Sequence, residues 1–174
     1  VSMKKYRIAL LGLFLCLFLA PWGYAHQVDL RILYVNDFHG FAEPYKPTGS
    51  DAPLGGIAYL AGAVDRARRK QPTLLLAAGD MIQGNAWANL FRGKSSLEVM
   101  NAMRFDAMVV GNHEFDFGPK VLKQRMAQAR FPFLGANVKG VAALKPYVIK
   151  NLQGVKIAII GVVTPETPVS THPR

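Results

Sequence analysis

Cysteine is almost absent from this chain of 174 residues, in which Cys16 is the only one. A single cysteine excludes an internal disulfide framework, so any fold must be held together by packing and hydrogen bonds. Cys16 also lies in an N-terminal segment that we expect to be removed. The mature chain would then contain no thiol, which fits export to an oxidising compartment.

Acidic residues are also scarce, since 11 Asp and Glu face 21 Lys and Arg and leave a net charge of +10. A basic surface suits anionic phosphate substrates. A plainer explanation holds for the cluster Arg66, Arg68, Arg69 and Lys70, which we place on a solvated helix end where cations complement the dipole. The basic residues are not interleaved with aromatic ones as in a stacking platform, so we predict no nucleic-acid partner.

The N-terminus has the pattern of an export signal. Lys4, Lys5 and Arg7 precede an uncharged apolar run at 8–20, and a stretch at 21–25 ends in Ala25. We therefore predict a signal peptide at 1–25, a mature region at 26–174, and periplasmic or secreted localisation. The apolar run is shorter than the roughly 20 residues that span a bilayer, so an uncleaved anchor is the less favoured alternative. No stable membrane insertion is expected after cleavage.

Polar residues with carboxylate, imidazole or amide side chains follow three apolar, strand-like runs at 28–35, 73–78 and 107–110. The clusters that follow these runs are Asp37-Phe38-His39, Gly79-Asp80 and Gly111-Asn112-His113-Glu114. If the runs are neighbouring parallel strands, their carboxyl ends share one edge of a sheet, where open α/β sheets bind ligands. The three clusters are therefore expected to converge on one spot.

Carboxylate, imidazole and amide oxygen are ligand types that suit Mn, Fe or Zn. Asp37 and His39 can bind one ion, Asp80 can bridge to a second, and Asn112 would help to hold that second ion. Two ions about 3.5–4 Å apart clamp the attacking and leaving oxygens of a displacement at phosphorus and lower the pKa of a bound water. The residues thus predict half of a two-metal phosphoesterase centre.

His113 is better suited to donating a proton than to binding metal, and Asp116 is placed to hold its ring. Each cluster also has an ordinary explanation when taken alone. His39 could be a capped turn residue, Gly79-Asp80 a simple turn, and Asn112 a helix N-cap. Three such clusters in this order, each directly after a strand-like run, favour the functional interpretation.

Between and after these clusters the sequence alternates strand and helix patterns. The spacing predicts helices at 56–69, 95–103 and 119–129, the second with Ser95 or Ser96 as N-cap and Glu98 in its first turn. It also predicts a strand at 133–136 and a hairpin of strands 147–152 and 155–163 that turns at Gln153-Gly154. We therefore expect one α/β domain with a mostly parallel sheet and flanking helices.

The motifs around these residues resemble those of the calcineurin-like metallophosphoesterases, and among them the secreted bacterial 5′-nucleotidase, UDP-sugar hydrolase and 2′,3′-cyclic phosphodiesterase group. The resemblance runs from about Asp29 to the last residue. The segments that carry it lie at 36–40, 55–58, 78–84, 111–118, 131–138 and 161–168.

The resemblance implies the N-terminal part of a four-layer α/β/β/α sandwich. It implies that Asp37, His39, Asp80 and Asn112 bind two divalent ions, with Mn, Zn, Fe and Co all acceptable. It also implies that His113 and Asp116 form a catalytic dyad. The implied substrates are nucleotides or other phosphate esters, with 5′-nucleotides, cyclic nucleotides and nucleotide sugars all open.

The sequence departs from the family where later metal ligands are expected. The family's Gly-His-x-His segment and its C-terminal nucleoside-binding domain have no counterpart in these 174 residues, and His172 is predicted to be a loop residue. We therefore expect 26–174 to be the N-terminal portion of a longer enzyme, whose C-terminal half would complete the site. The alternative is a non-catalytic secreted or membrane-tethered remnant that binds metal weakly or binds a protein partner.

Overall fold

The computed structural model describes residues 27–171. The predicted signal peptide at 1–25 and the residues His26 and His172 lie outside the described range. Within that range no helix combines the length and the apolar character needed to cross a membrane.

A four-stranded parallel sheet and a separate antiparallel hairpin organise the described residues. In chain order the elements are β1 (Arg31–Val35), α1 (Ile57–Lys70), β2 (Thr73–Ala77), α2 (Ala86–Leu90), α3 (Lys94–Ala102), β3 (Ala107–Val109), a 3₁₀ turn (His113–Phe115), α4 (Gly118–Gln128), β4 (Phe133–Leu134), β5 (Tyr147–Leu152), β6 (Val155–Ile160) and α5 (Thr167–Ser170). The sheet order is β1-β2-β3-β4, with every pair parallel. The predicted α/β class, with a mostly parallel sheet and flanking helices, is confirmed.

The core lies between one face of this sheet and the helices that follow its strands. Leu75 of β2 and Met108 of β3 are fully buried and pack with Val64 of α1, Leu97 of α3 and Leu122 of α4. Burying these apolar side chains stabilises the fold by about 1.5–3 kcal/mol each. Because all four strands run in one direction, the packed sheet presents their carboxyl ends along a single edge.

Apolar side chains are exposed elsewhere on the strands. Ile32 and Tyr34 on β1 are 51% and 71% exposed, and Tyr147, Ile149 and Ile160 on the hairpin also face solvent. Alternation along β1 puts Leu33 and Val35 into the core and leaves the intervening residues on the opposite face. An apolar surface of this kind is typical of a face that packs against another element.

The hairpin at Gln153-Gly154 is confirmed, although β6 ends at Ile160, earlier than predicted. Gln153 and Gly154 both have positive φ, 51° and 84°. Two positive φ values in a two-residue loop suit the right-handed twist of the flanking strands, and Gly favours them.

The first strand is shorter than predicted. It begins at Arg31, whereas the apolar run at 28–35 predicted a start at residue 28.

The predicted start of α3 is wrong. The helix begins at Lys94, its N-cap is Gly93 in the left-handed region, and no side chain caps it. Ser95 Oγ instead donates to a carbonyl oxygen of α2 at 2.8 Å, and Ser96 is buried inside the helix. With this earlier start Glu98 falls outside the first turn and pairs with Lys94 at 3.5 Å.

Arg68 is more than a solvated cation at the end of α1. Its guanidinium donates to Met103 O at 2.6 Å and to Arg104 O at 2.7 Å. These carbonyl groups lie at the end of α3, where the helix leaves acceptors without partners. Arg68 therefore joins α1 to α3, while Arg69 and Lys70 lie in the last turn of α1 as predicted.

Candidate metal centre

The loops that leave β1, β2 and β3 meet at the carboxyl edge of the sheet. Asp37 N donates to Gly79 O at 3.2 Å, and His39 N donates to Asp80 O at 3.0 Å. The third loop joins them because His113 N donates to Asp80 Oδ1 at 3.1 Å. The structure thus brings together three clusters that are far apart in sequence.

The ring of His39 is oriented by a backbone carbonyl. Its Nδ1 lies 3.0 Å from Gln83 O, and since a carbonyl can only accept, Nδ1 carries the proton. The lone pair of Nε2 is therefore available for another group, the arrangement that metal-binding histidines adopt. Asp37 Oδ1 lies 3.6 Å from this Nε2, so the two candidate ligands face each other.

A compact set of donor atoms lies where the loops meet. His39, Asp80 and His113 each offer a ligand atom within 4.8 Å of the other two. The rings of His39 and His113 stand edge to face, with centroids 5.0 Å apart. The Asp80 carboxylate and the His39 imidazole, with Asp37 beside it, suit a divalent transition metal, so the residues present fit the implied cofactor.

His113 and Asp116 form a hydrogen-bonded pair across one helical turn. His113 Nδ1 lies 2.7 Å from Asp116 Oδ2, and the Asp116 side chain is only 6% exposed. Burial lowers the pKa of His113, but the hydrogen bond with Asp116 and nearby carboxylate charges outweigh it, so this pKa lies above its usual value. The pair therefore favours a protonated imidazole at the site.

Asn112 lies at the head of the 3₁₀ turn, but its side chain makes no capping hydrogen bond. Its Nδ2 donates instead to Ser170 O at 2.8 Å. That bond orients the amide and leaves Oδ1 as the atom that can bind a cation. Asn112 therefore occupies the N-cap position, as its ordinary explanation predicts, but its side chain does not cap the turn.

Glu114 has a structural role that the sequence analysis did not assign. Its side chain is completely buried, and Oε2 accepts from Gly111 N at 2.6 Å and from Asp80 N at 2.9 Å. Oε1 accepts from Met81 N at 2.8 Å and from Ile82 N at 3.3 Å. Burial raises the pKa of this carboxyl, while the backbone N–H donors oppose that rise. Glu114 therefore ties the loop after β2 to the loop after β3.

Backbone strain coincides with the candidate ligands. Asp37, His39 and Asp80 have φ of 50°, 49° and 58°, in the left-handed region that few non-glycine residues adopt. Each such residue costs about 1 kcal/mol or more and persists only where its surroundings impose it. Strain at three neighbouring polar residues is typical of a functional site.

Space beside Asp80 depends on the missing side chain of Gly111. A β-carbon at Gly111 would lie 2.9 Å from Asp80 N and closer still to Asp80 Oδ1. We expect Gly111→Ala to displace the Asp80 carboxylate and to weaken Mn²⁺ binding about tenfold or more, measured by isothermal titration calorimetry. Gly62→Ala is the control, because Gly62 lies inside α1 with its nearest neighbour at 3.4 Å. That control should raise helix stability by up to about 1 kcal/mol and leave metal affinity unchanged.

A parallel α/β sheet with clustered carboxylate and imidazole groups at its carboxyl edge is the architecture of metallophosphoesterase domains. The chain belongs to the calcineurin-like phosphoesterase family, which it matches over residues 30–160. This membership confirms the predicted family and a hydrolase role by resemblance.

Relatives of the chain include 5′-nucleotidases. The chain is 41% identical to the snake venom 5′-nucleotidase of Crotalus adamanteus, covering 86% of this chain and 28% of that protein. It is 36% identical to the NAD 5′-nucleotidase of Haemophilus influenzae, covering 80% and 26%. The crystal structure of a 5′-nucleotidase precursor from Thermus thermophilus superposes with a TM-score of 0.75 at 35% identity, covering 82% and 30%. The chain thus spans less than a third of the length of these relatives.

Proposed function

We propose that this chain is the N-terminal portion of a catalytic domain that hydrolyses phosphate esters of nucleotides, with nucleoside 5′-monophosphates as the principal substrates. The observation that carries the proposal is the convergence of His39, Asp80 and His113 within 4.8 Å at the carboxyl edge of the sheet. The 5′-nucleotidase relatives support the substrate class. Without Lys4, Lys5 and Arg7 of the predicted signal peptide the net charge is +7 (10 − 3), which is also favourable for an anionic substrate.

The proposed metal ligands are Asp37, His39, Asp80 and Asn112. Two divalent ions held there would supply Lewis acidity at phosphorus and an activated water. The residues themselves orient the site, since Gln83 O holds the His39 ring and the hydrogen bond from His113 N holds Asp80 Oδ1. The ligands needed to complete the second ion site would come from the C-terminal half that the longer relatives possess.

His113 and Asp116 are the proposed catalytic pair. With Nδ1 bonded to Asp116, the imidazole has Nε2 left to donate a proton or a hydrogen bond to an oxygen of the substrate. Asp116 is nearly buried, so water competes little for its carboxylate. The two residues would act together: Asp116 sets the orientation of the ring, and His113 stabilises charge that develops on the substrate oxygen.

We also propose that the enzyme is exported. The basic start and apolar run at 1–20 are typical of a signal peptide, so the enzyme would act in the periplasm or outside the cell. A nucleotide-degrading enzyme placed there meets phosphate esters that do not cross membranes readily. Its substrate would be a free nucleotide rather than a nucleic acid.

A non-catalytic remnant is the second candidate. One observation favours it, the exposed apolar residues Ile32 and Tyr34 on β1. Such a remnant would bind metal weakly, or use this surface to bind a protein partner.

Hydrolysis of a nucleotide panel distinguishes the two candidates. The purified chain, joined to the C-terminal half that would supply the remaining ligands, is incubated with AMP, UDP-glucose and 2′,3′-cyclic AMP in Mn²⁺, Zn²⁺ or Co²⁺, and released products are measured. We expect metal-stimulated hydrolysis, highest with AMP and removed by a chelator, because the donor set suits these ions. Mn²⁺ binding without hydrolysis of any of the three substrates would support the non-catalytic alternative instead.

A further inference from the structure

The segment at 164–171 is fastened at both ends, and its C-terminal end contacts the candidate site. At its start Val163 is held by Asn137, whose side chain donates to Val163 O at 2.7 Å and accepts from Val163 N at 2.9 Å. At its end Ser170 O accepts from Asn112 Nδ2 at 2.8 Å. The short helix α5 lies between these anchors. The segment therefore packs against the loop that follows β3 in a defined position.

The last contact of this segment reaches the proposed catalytic pair. Thr171 Oγ1 donates to Asp116 Oδ1 at 2.8 Å, while Asp116 Oδ2 is the oxygen bonded to His113 Nδ1 at 2.7 Å. One carboxylate thus receives a hydrogen bond on each oxygen, from partners on opposite sides in the sequence. A carboxylate held at both oxygens cannot rotate about its terminal bond without breaking one of the two contacts.

We infer that Thr171 is a positioning residue for the His113–Asp116 pair, an inference that rests on the proposed function for the catalytic role of that pair. Thr171 acts through Asp116 and touches no reacting atom itself. By fixing the plane of the carboxylate it fixes the orientation of the imidazole and keeps Nδ1–H directed at Asp116 Oδ2. The same segment orients Asn112, so the loop after β3 receives two of its constraints from residues 170 and 171.

The test compares Thr171→Val with Thr171→Ser in the full chain. Valine has the shape of threonine without the hydroxyl group, whereas serine keeps the hydroxyl group. One readout is the ring ¹⁵N signals of His113 in histidine-labelled protein, and the other is kcat and KM for AMP with Mn²⁺. Exposed Thr48, changed to Val, serves as the matched control.

We expect Thr171→Val to shift the His113 ring ¹⁵N signals, because the hydrogen bond between Nδ1 and Asp116 is less firmly held, and to lower kcat about tenfold, with KM changed less than twofold. Thr171→Ser should restore both readouts, and Thr48→Val should match the unaltered protein. Unchanged ring signals in Thr171→Val would overturn the inference, whatever happens to kcat, as would a failure of serine to restore them. If no variant hydrolyses AMP but the ring signals still respond as expected, the positioning role stands and the proposed function fails.

Discussion

Replacing Glu114 by Gln should lower the free energy of unfolding by about 3 kcal/mol, because an amide has one acceptor oxygen where the carboxylate has two. Each carboxylate oxygen now accepts two backbone N–H groups. In either orientation the new NH₂ group would face two of these donors at a site with no solvent exposure. Each buried donor left without an acceptor costs about 1–3 kcal/mol. Urea denaturation followed by circular dichroism measures the loss.

Glu43→Gln is the matched control, since Glu43 is exposed on the loop after β1. It makes the same chemical change without burying a donor, and should alter stability by less than about 0.5 kcal/mol. We also expect Glu114→Gln to weaken Mn²⁺ binding, because Glu114 holds Asp80 N and the neighbouring backbone. A loss of stability no larger than that of the control would show that Glu114 does not join the two loops.

The convergence of the three clusters could be predicted because parallel strands leave no other option. Once the apolar runs before Asp37, Asp80 and Asn112 are neighbouring parallel strands, their carboxyl ends must lie on one edge. The hydrogen bond from His113 N to Asp80 Oδ1 is a direct result of that geometry. Helices α1 and α4 could also be predicted, because apolar residues at helical spacing mark the face that each helix buries. The predicted bounds, 56–69 and 119–129, differ from the observed ones by one residue at each end.

The role of Glu114 could not be predicted because its partners are backbone N–H groups on another loop. Sequence patterns report side-chain type and spacing, and four N–H donors converging on one carboxylate leave no trace in either. The only signal in the sequence is the position of Glu114, directly after Asn112-His113. Its burial, which would have called for hydrogen-bond partners, is visible only in the structure. The contact of Thr171 with Asp116 could not be predicted for a similar reason, since 55 residues separate the two in the sequence.

Short elements were missed for lack of periodicity. Helix α2 has five residues, too few for an apolar stripe to repeat, and its clearest signal is Asn85, whose side chain accepts from Ala88 N at 3.3 Å. The start of α3 was misplaced because serine is a preferred N-cap, whereas a left-handed glycine performs that role here. The short connection between α2 and α3 therefore sets the start of α3, and the N-cap preference of serine does not.

Replacing Asp80 by Asn should remove metal-stimulated hydrolysis and weaken Mn²⁺ binding at least about 100-fold, while leaving the fold intact. Asparagine tolerates the left-handed backbone that Asp80 adopts at φ 58°. Its carbonyl oxygen can still accept from His113 N, so the hydrogen bond between the loops survives. The remaining group is then an NH₂ donor where a negatively charged ligand oxygen stood, and a donor repels a cation.

Asp65→Asn separates this effect from a general change of charge. Asp65 is exposed on α1 away from the strand ends, so the control removes one negative charge and should bind Mn²⁺ like the unaltered chain. Calorimetric titration measures affinity, and the melting temperature of each variant without metal reports on the fold. Equal Mn²⁺ affinity in Asp80→Asn and Asp65→Asn would mean that the ion binds elsewhere. Because the loops meet at Asp80 whether or not metal binds, that result would leave the fold assignment standing and remove the metal centre from it.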